Sequence, residues 1–219
     1  MVRHFEQELE QLKSNIIRMG SLAEASVRNA VHAFLQNDVD LSRRVIEEEH
    51  RLNEMELAND KAVVDLLALQ QPVAGDLRLI LAALKINNDL ERIGDHAVNI
   101  AESAQNAGHE GPLPGRADLF RMAEFTERML RDALDGFIHA DPAMCRSVLG
   151  LDDMIDELNK KLVTDMVGVI RNDASAVLRA LEIVRVSRNL ERIADLATNV
   201  AEEVIFVTEA QVVKHHGKP

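Results

Sequence analysis

Two strings in this chain carry a glutamate and an aspartate four residues apart, Glu91 with Asp95 and Glu191 with Asp195. On an α-helix that spacing puts both carboxylates on one face. Like charges so placed destabilise a helix by about 0.2 to 0.5 kcal/mol unless something neutralises them. Hard cations such as Mg²⁺, Mn²⁺ and ferric iron choose carboxylate oxygens, so the chemistry open to these pairs is cation binding. Further donors stand upstream of each pair, where Glu49-x-x-x-Asn53 aligns with Asp152-x-x-x-Asp156. The residues alone leave a plainer reading beside this one, in which the acids are solvated and paired with the adjacent Arg92 and Arg192.

Recurrence gives the pairs their weight. Leu90 to Glu102 reads LERIGDHAVNIAE and Leu190 to Glu202 reads LERIADLATNVAE, with nine of thirteen positions identical at a constant offset of 100. Upstream, Phe34, Asp38, Leu52 and Glu54 align with Phe137, Asp141, Ile155 and Glu157 at an offset of 103. The chain is therefore two copies of one unit. Other candidates lack this support. Glu47-x-x-His50 resembles half of a di-iron carboxylate element, but the second copy has no equivalent. His96 faces Leu196 in the alignment, His215 and His216 fall in a polar tail, and Cys145 stands in an apolar context that suits a packed side chain. No phosphate-cradling glycine loop or nucleophile elbow is present. Enzyme chemistry has no foothold.

Steps of three and four through Leu9, Leu12, Ile16, Met19, Ala23, Ser26, Ala30 and Phe34 predict a first amphipathic helix ending near Asp38. Leu41, Val45, Leu52, Met55, Ala62, Leu66 and Leu69 predict a second, stopped by Pro72. A third is expected over 74–105, then a glycine- and proline-rich linker over 106–116. Three more are expected over 117–139, 142–171 and 174–209. In the third helix of each copy, a seam of Ala83, Ile86, Leu90, Ile93 and Ala97, or Ile183, Val186, Leu190, Ile193 and Ala197, faces the bundle. The opposite stripe begins apolar (Leu77, Leu81, Leu84; Val177, Leu181, Val184) and then turns acidic. The expected fold is all-α: two tandem three-helix bundles, six long antiparallel helices, with units at 1–105 and 117–209 and a polar tail at 210–219.

Composition narrows the partners. With 25 Lys plus Arg against 37 Asp plus Glu, the formal net charge is −12, a field that disfavours nucleic acid and anionic lipid and favours cations or basic protein surfaces. No stretch approaches a membrane span, the best being cut by Arg78 and Lys85, and the start carries no leader pattern, so membrane insertion is not expected and a cytoplasmic location is.

The string LALQQPVAGDLRLI, followed by the two LERI-x-D motifs, closely resembles the PhoU family of accessory regulators of bacterial high-affinity phosphate transport. The resemblance covers nearly the whole chain. It implies a six-helix, dimeric, non-catalytic protein that restrains the phosphate-starvation response by coupling the phosphate-specific ABC transporter to its sensor histidine kinase. It also implies surface clusters of iron, zinc, manganese or magnesium at paired E(D)-x-x-x-D motifs, which fall here on Glu91, Asp95, Glu191, Asp195, Asp152 and Asp156. Glu49 and Asn53 take the remaining place, where the neutral Asn53 departs from the pattern. Asn99 and Asn199, one turn beyond the aspartates, are further donors. A metal-storage bundle is the alternative.

Overall fold

The computed structural model describes residues 2–106 and 114–213. Its helices are α1 (Val2–Gln36), α2 (Val39–Gln70), α3 (Ala74–Asn106), α4 (Arg116–His139), α5 (Pro142–Leu149), α6 (Asp152–Asn172) and α7 (Val177–Glu209), with a single 3₁₀ turn at Ala174–Ala176 before α7. Most of the expected linker, and His215 with His216, lie outside the described residues.

Equivalent residues start equivalent helices. The Asp38 carboxylate accepts from the Leu41 amide at 2.9 Å, and Asp141 accepts from Ala143 and Met144 at 2.9 and 3.1 Å. Each satisfies donors that the first helical turn leaves orphaned. One expectation needs correction. The continuous helix over 142–171 is broken, because Gly150 ends α5 and α6 restarts at Asp152. Glycine costs about 1 kcal/mol in a helix interior, and the Leu151 amide turns back to the Val148 carbonyl at 3.0 Å. The architecture is still six long helices, with the fifth in two pieces. Leu69, placed on the α2 seam by spacing, is exposed where α2 runs out at the Gln71 to Val73 turn.

Packing follows the duplication. α2, α3, α7 and α6 lie side by side in that order, with α1 behind α2 and α3, α4 behind α6 and α7, and α1 touching α4. The seams of α3 and α7 are buried throughout, and one apolar cluster runs across both copies. Gly94 permits the close approach of α2, since a Cβ there would stand 2.5 Å from Leu52 Cδ1.

The antiparallel α3/α7 pair is pinned by polar bridges between the copies. Lys85 Nζ on α3 donates to both carboxylate oxygens of Glu203 on α7 at 3.0 Å. Arg185 on α7 donates to Glu102 on α3 at 2.5 Å and to Asn99 at 3.1 Å. Lys85 and Arg185 are equivalent positions and each reaches a glutamate late in the other copy's third helix, although the acceptors are not equivalent, Glu203 aligning with Ser103 and Glu102 with Glu202. A half-turn about an axis between the two helices exchanges the copies.

Candidate functional site

The sequence-chosen acids sit in two grooves, α2/α3 and α6/α7, on the side away from α1 and α4. In the first, Asn53 Nδ2 donates to Glu49 at 2.6 Å. Burial pushes Glu91 up from the usual glutamate range, and Asp95, Glu56 and Glu49 push further. Burial, then Glu49, raises Asp95. Glu56 belongs to this group although it stands outside Glu49-x-x-x-Asn53, forming with Asp60 a further pair at the same spacing, and it is raised by burial, Asp60 and Asp95. Its signal in the sequence is its place two helical turns after Glu49. Beneath it, the buried Asn87 donates to the Glu56 carbonyl at 3.1 Å and to Asp60 at 2.9 Å, and accepts from Asn59 at 2.9 Å.

In the second groove, burial lifts Asp152, and Asp195, Asp156, Asp153 and Glu191 add to the lift. Asp195 is raised by burial, while its bond from Arg192 at 3.2 Å opposes the shift. Asn159 donates to Glu191 at 2.8 Å and accepts from Ser187 at 2.9 Å. Lys160 stands 3.6 Å from Asp156. Asn159 occupies the place of Glu56, so the second copy replaces a carboxylate with an amide that ties down its neighbour.

The two grooves meet at the centre of the molecule. A cleft of about 340 Å³ is lined by Asp152, Arg192, Asp195, Leu196, Thr198 and Asn199 of the second copy and by Arg92 of the first, so the arginines of both LERI-x-D motifs share one opening that Glu91 and Asp95 do not line. His96 lies between the two grooves: its ring Nδ1 is 2.9 Å from Asn189 Oδ1, and the ring is near enough to act on both Asp95 and Asp195. Its pairing across the copies, invisible in a single helix, explains a histidine with a leucine as counterpart. Asn99 is occupied by Arg185. His50 turns its ring to the Glu47 carbonyl of its own helix at 2.6 Å. Cys145 is buried, its thiol pushed up to about 12 mainly by burial, which keeps it a packed neutral side chain.

Whether these donors suit a metal is a matter of convergence. Among the described residues, no three of His, Cys, Asp and Glu come together closely enough to hold an ion. Glu191 is engaged with Asn159, Asp195 with Arg192 and Asp156 with Lys160. As placed, the side chains do not fit a metal.

Fold and site together define an all-helical duplicated module with a twin acidic face; among the described residues, no helix is long and apolar enough to cross a membrane. The PhoU domain profile matches twice, over residues 16–104 and 119–204. The chain belongs to the PhoU family. It is 37% identical over 216 residues to the phosphate-specific transport system accessory protein PhoU homolog of Pseudomonas putida, covering 98% of this chain and 84% of that one. It is 31% identical over 213 residues to the PhoU accessory protein of Escherichia coli K12, covering 97% and 88%. The crystal structure of PhoU from Pseudomonas aeruginosa superposes with a TM-score of 0.91 at 36% identity, covering 94% of this chain and 100% of that one. The phosphate transport system regulatory protein PhoU from Streptococcus pneumoniae gives 0.89 at 25% identity, covering 96% and 99%.

Proposed function

We propose that this chain is a non-catalytic cytoplasmic regulator of phosphate uptake that represses the phosphate-starvation response, coupling the ATPase subunit of a phosphate-specific ABC transporter to a sensor histidine kinase. The observation that carries this reading is the full-length match to relatives named as accessory proteins of the phosphate-specific transport system. The chain's physical character suits it. A stiff two-layer helical body with an acidic face is built for docking, and the formal charge of −12 steers it toward basic protein surfaces.

Coupling of this kind obeys a simple constraint. The regulator shifts the kinase between signalling states only to the extent that it binds one state more tightly, and a tenfold shift requires about 1.4 kcal/mol of differential affinity. No bond is made or broken in that process, and none of the acids needs to transfer a proton. As a homodimer the protein would present two such bodies at once.

Deletion of the gene, followed by an assay of phosphate-regulated alkaline phosphatase in phosphate-rich medium, tests the reading. Derepressed enzyme, restored to low levels by the wild-type gene on a plasmid, is the expected result. Unchanged repression would overturn it.

A further inference from the structure

The outward arc of the second helix is apolar in one copy and built for water in the other. On α2, Leu57, Ala58, Ala68 and Leu69 all face solvent, the two leucines 68% and 74% exposed. At the offset of 103 their equivalents on α6 are Lys160, Lys161, Arg171 and Asn172, exposed as well. A patch that stays apolar where its duplicate has become charged is one that a partner covers. α2 is an outer helix of the row α2, α3, α7, α6, and among the described residues nothing covers its outer side.

The order of residues along the arc names the partner. About the height of Val63, whose side chain is buried in the core, the arc pairs by equal distance: Leu57 with Leu69, Ala58 with Ala68, and Lys61 with Asp65. A twofold axis normal to the helix at that height sets each residue opposite the other member of its pair in a second copy. Two antiparallel α2 helices so placed bring leucine to leucine and alanine to alanine, and form the Lys61 to Asp65 ion pair twice. Neither Lys61 nor Asp65 has an ion partner among the described residues. The alanines let the helix axes approach toward the short end of the usual range of about 8 to 10 Å. Within the span no acid meets an acid, and Glu54, just before it, falls opposite Pro72.

We propose that the outward arc of α2 is the homodimer face, two copies of this chain joining edge to edge through antiparallel α2 helices. This deepens the homodimer of the reading above and rests on that part of it alone. The charge of −12 on each copy opposes the approach at long range, but physiological salt screens it beyond about 8 Å, so the local pairing decides. The matched span is about 18 Å long at roughly 1.5 Å per residue, short of a standard interface, which sets the dissociation constant in the micromolar range.

Sedimentation velocity on the full chain reads the dimer constant, with helical circular dichroism checking the fold of each variant. Leu57→Lys installs the residue that the second copy uses and, acting twice per dimer, should weaken association by about 100-fold. Lys61→Asp and Asp65→Lys should each weaken it by about tenfold, and the double reversal, which restores the pair, should return it to within about threefold of wild type. Val167→Lys, at the exposed place on α6 that matches Val64, should leave it unchanged. For the register, a short bismaleimide should join Ala58→Cys to Ala68→Cys in an equimolar mixture faster than it joins either variant to itself, the native Cys145 being buried. A dimer indifferent to Leu57→Lys, or a double reversal no better than its single variants, overturns this face while the homodimer stands. Wild type that stays monomeric well above micromolar concentration overturns both. Neither result touches the coupling reading, which the alkaline phosphatase assay decides.

Discussion

The two copies place their acids at the same backbone positions and treat them differently. In the α2/α3 groove, Glu49, Glu56, Glu91 and Asp95 press on one another, and the nearby Arg92 leans 3.7 Å from Asp89. In the α6/α7 groove, Asn159 holds Glu191, Arg192 holds Asp195 and Lys160 stands near Asp156. One half keeps a set of mutually repelling carboxylates and the other has bonded most of them into place. Duplication preserves the scaffold first, because every seam residue is locked by packing. Charges on the open face are free to diverge.

The comparison is tested most strongly in the core. Leu90 and Leu190 are equivalent and fully buried, so Leu90→Ala and Leu190→Ala should each lose about 3 kcal/mol in urea unfolding, within about 1 kcal/mol of each other. A large difference would mean that the halves do not share one core. The two bridges between the copies should part company. Glu203 is 3% exposed, so Lys85→Ala removes the countercharge of a buried carboxylate and should cost about 2 kcal/mol, discounted because Lys85 itself is half exposed. Arg185→Ala, whose partner Glu102 is well solvated, should cost about 0.5 kcal/mol by the same measurement.

At Gly94 the copies differ by one methyl group. Gly94→Ala should destabilise by about 1.5 kcal/mol, since the new Cβ meets Leu52, while Ala194→Gly should lose about 1 kcal/mol through helix propensity. Both substitutions lowering the melting temperature is the expected outcome, and a stabilised Gly94→Ala would show that Leu52 moves aside freely. The smallest effect is electrostatic. Glu91 titrates higher when folded than when unfolded, so its contribution to stability is full in acid and lost as pH rises through the folded value. Glu91→Gln should therefore gain about 0.5 kcal/mol at neutral pH, after solvent screening, and nothing in acid. Glu191→Gln should lose a similar amount at neutral pH, because it weakens the bond from Asn159. Thermal unfolding at the two pH values reads both.

Within one copy, the sequence was a good guide. Periodicity located the seams of α3 and α7 from Ala83 and Ile183 onward, while at the start of α3 the buried positions are Ile80 and Ala82 and the expected Leu79 is only partly covered, and the repeat marked Glu91, Asp95, Glu191 and Asp195 as equivalents on one outward face. What escaped it depends on contacts between elements. Glu56 and Asn159 join their grooves only once α2 and α6 are docked, and the Asn87 and Ser187 side chains beneath them look like ordinary helix polar residues until a neighbour arrives. The pairing of His96 with Asn189 and the bridge from Lys85 to Glu203 require the antiparallel docking of α3 on α7, which no motif in either copy encodes. The break at Gly150 is a different kind of miss. A lone glycine in a helical pattern is often tolerated, and here the short α5 survives because it packs on α4 and α7.

The two bridges also carry a history. Two identical single-module chains meeting through their third helices would form this same half-turn contact, each lending its residue 85 to the other's acidic end. Joining them head to tail makes the encounter independent of dilution, so the pair no longer falls apart when the cell holds few copies. Once fused, the halves were released from being identical, and a lysine reaching a sheltered acid on one side could become an arginine on a wetter acid on the other.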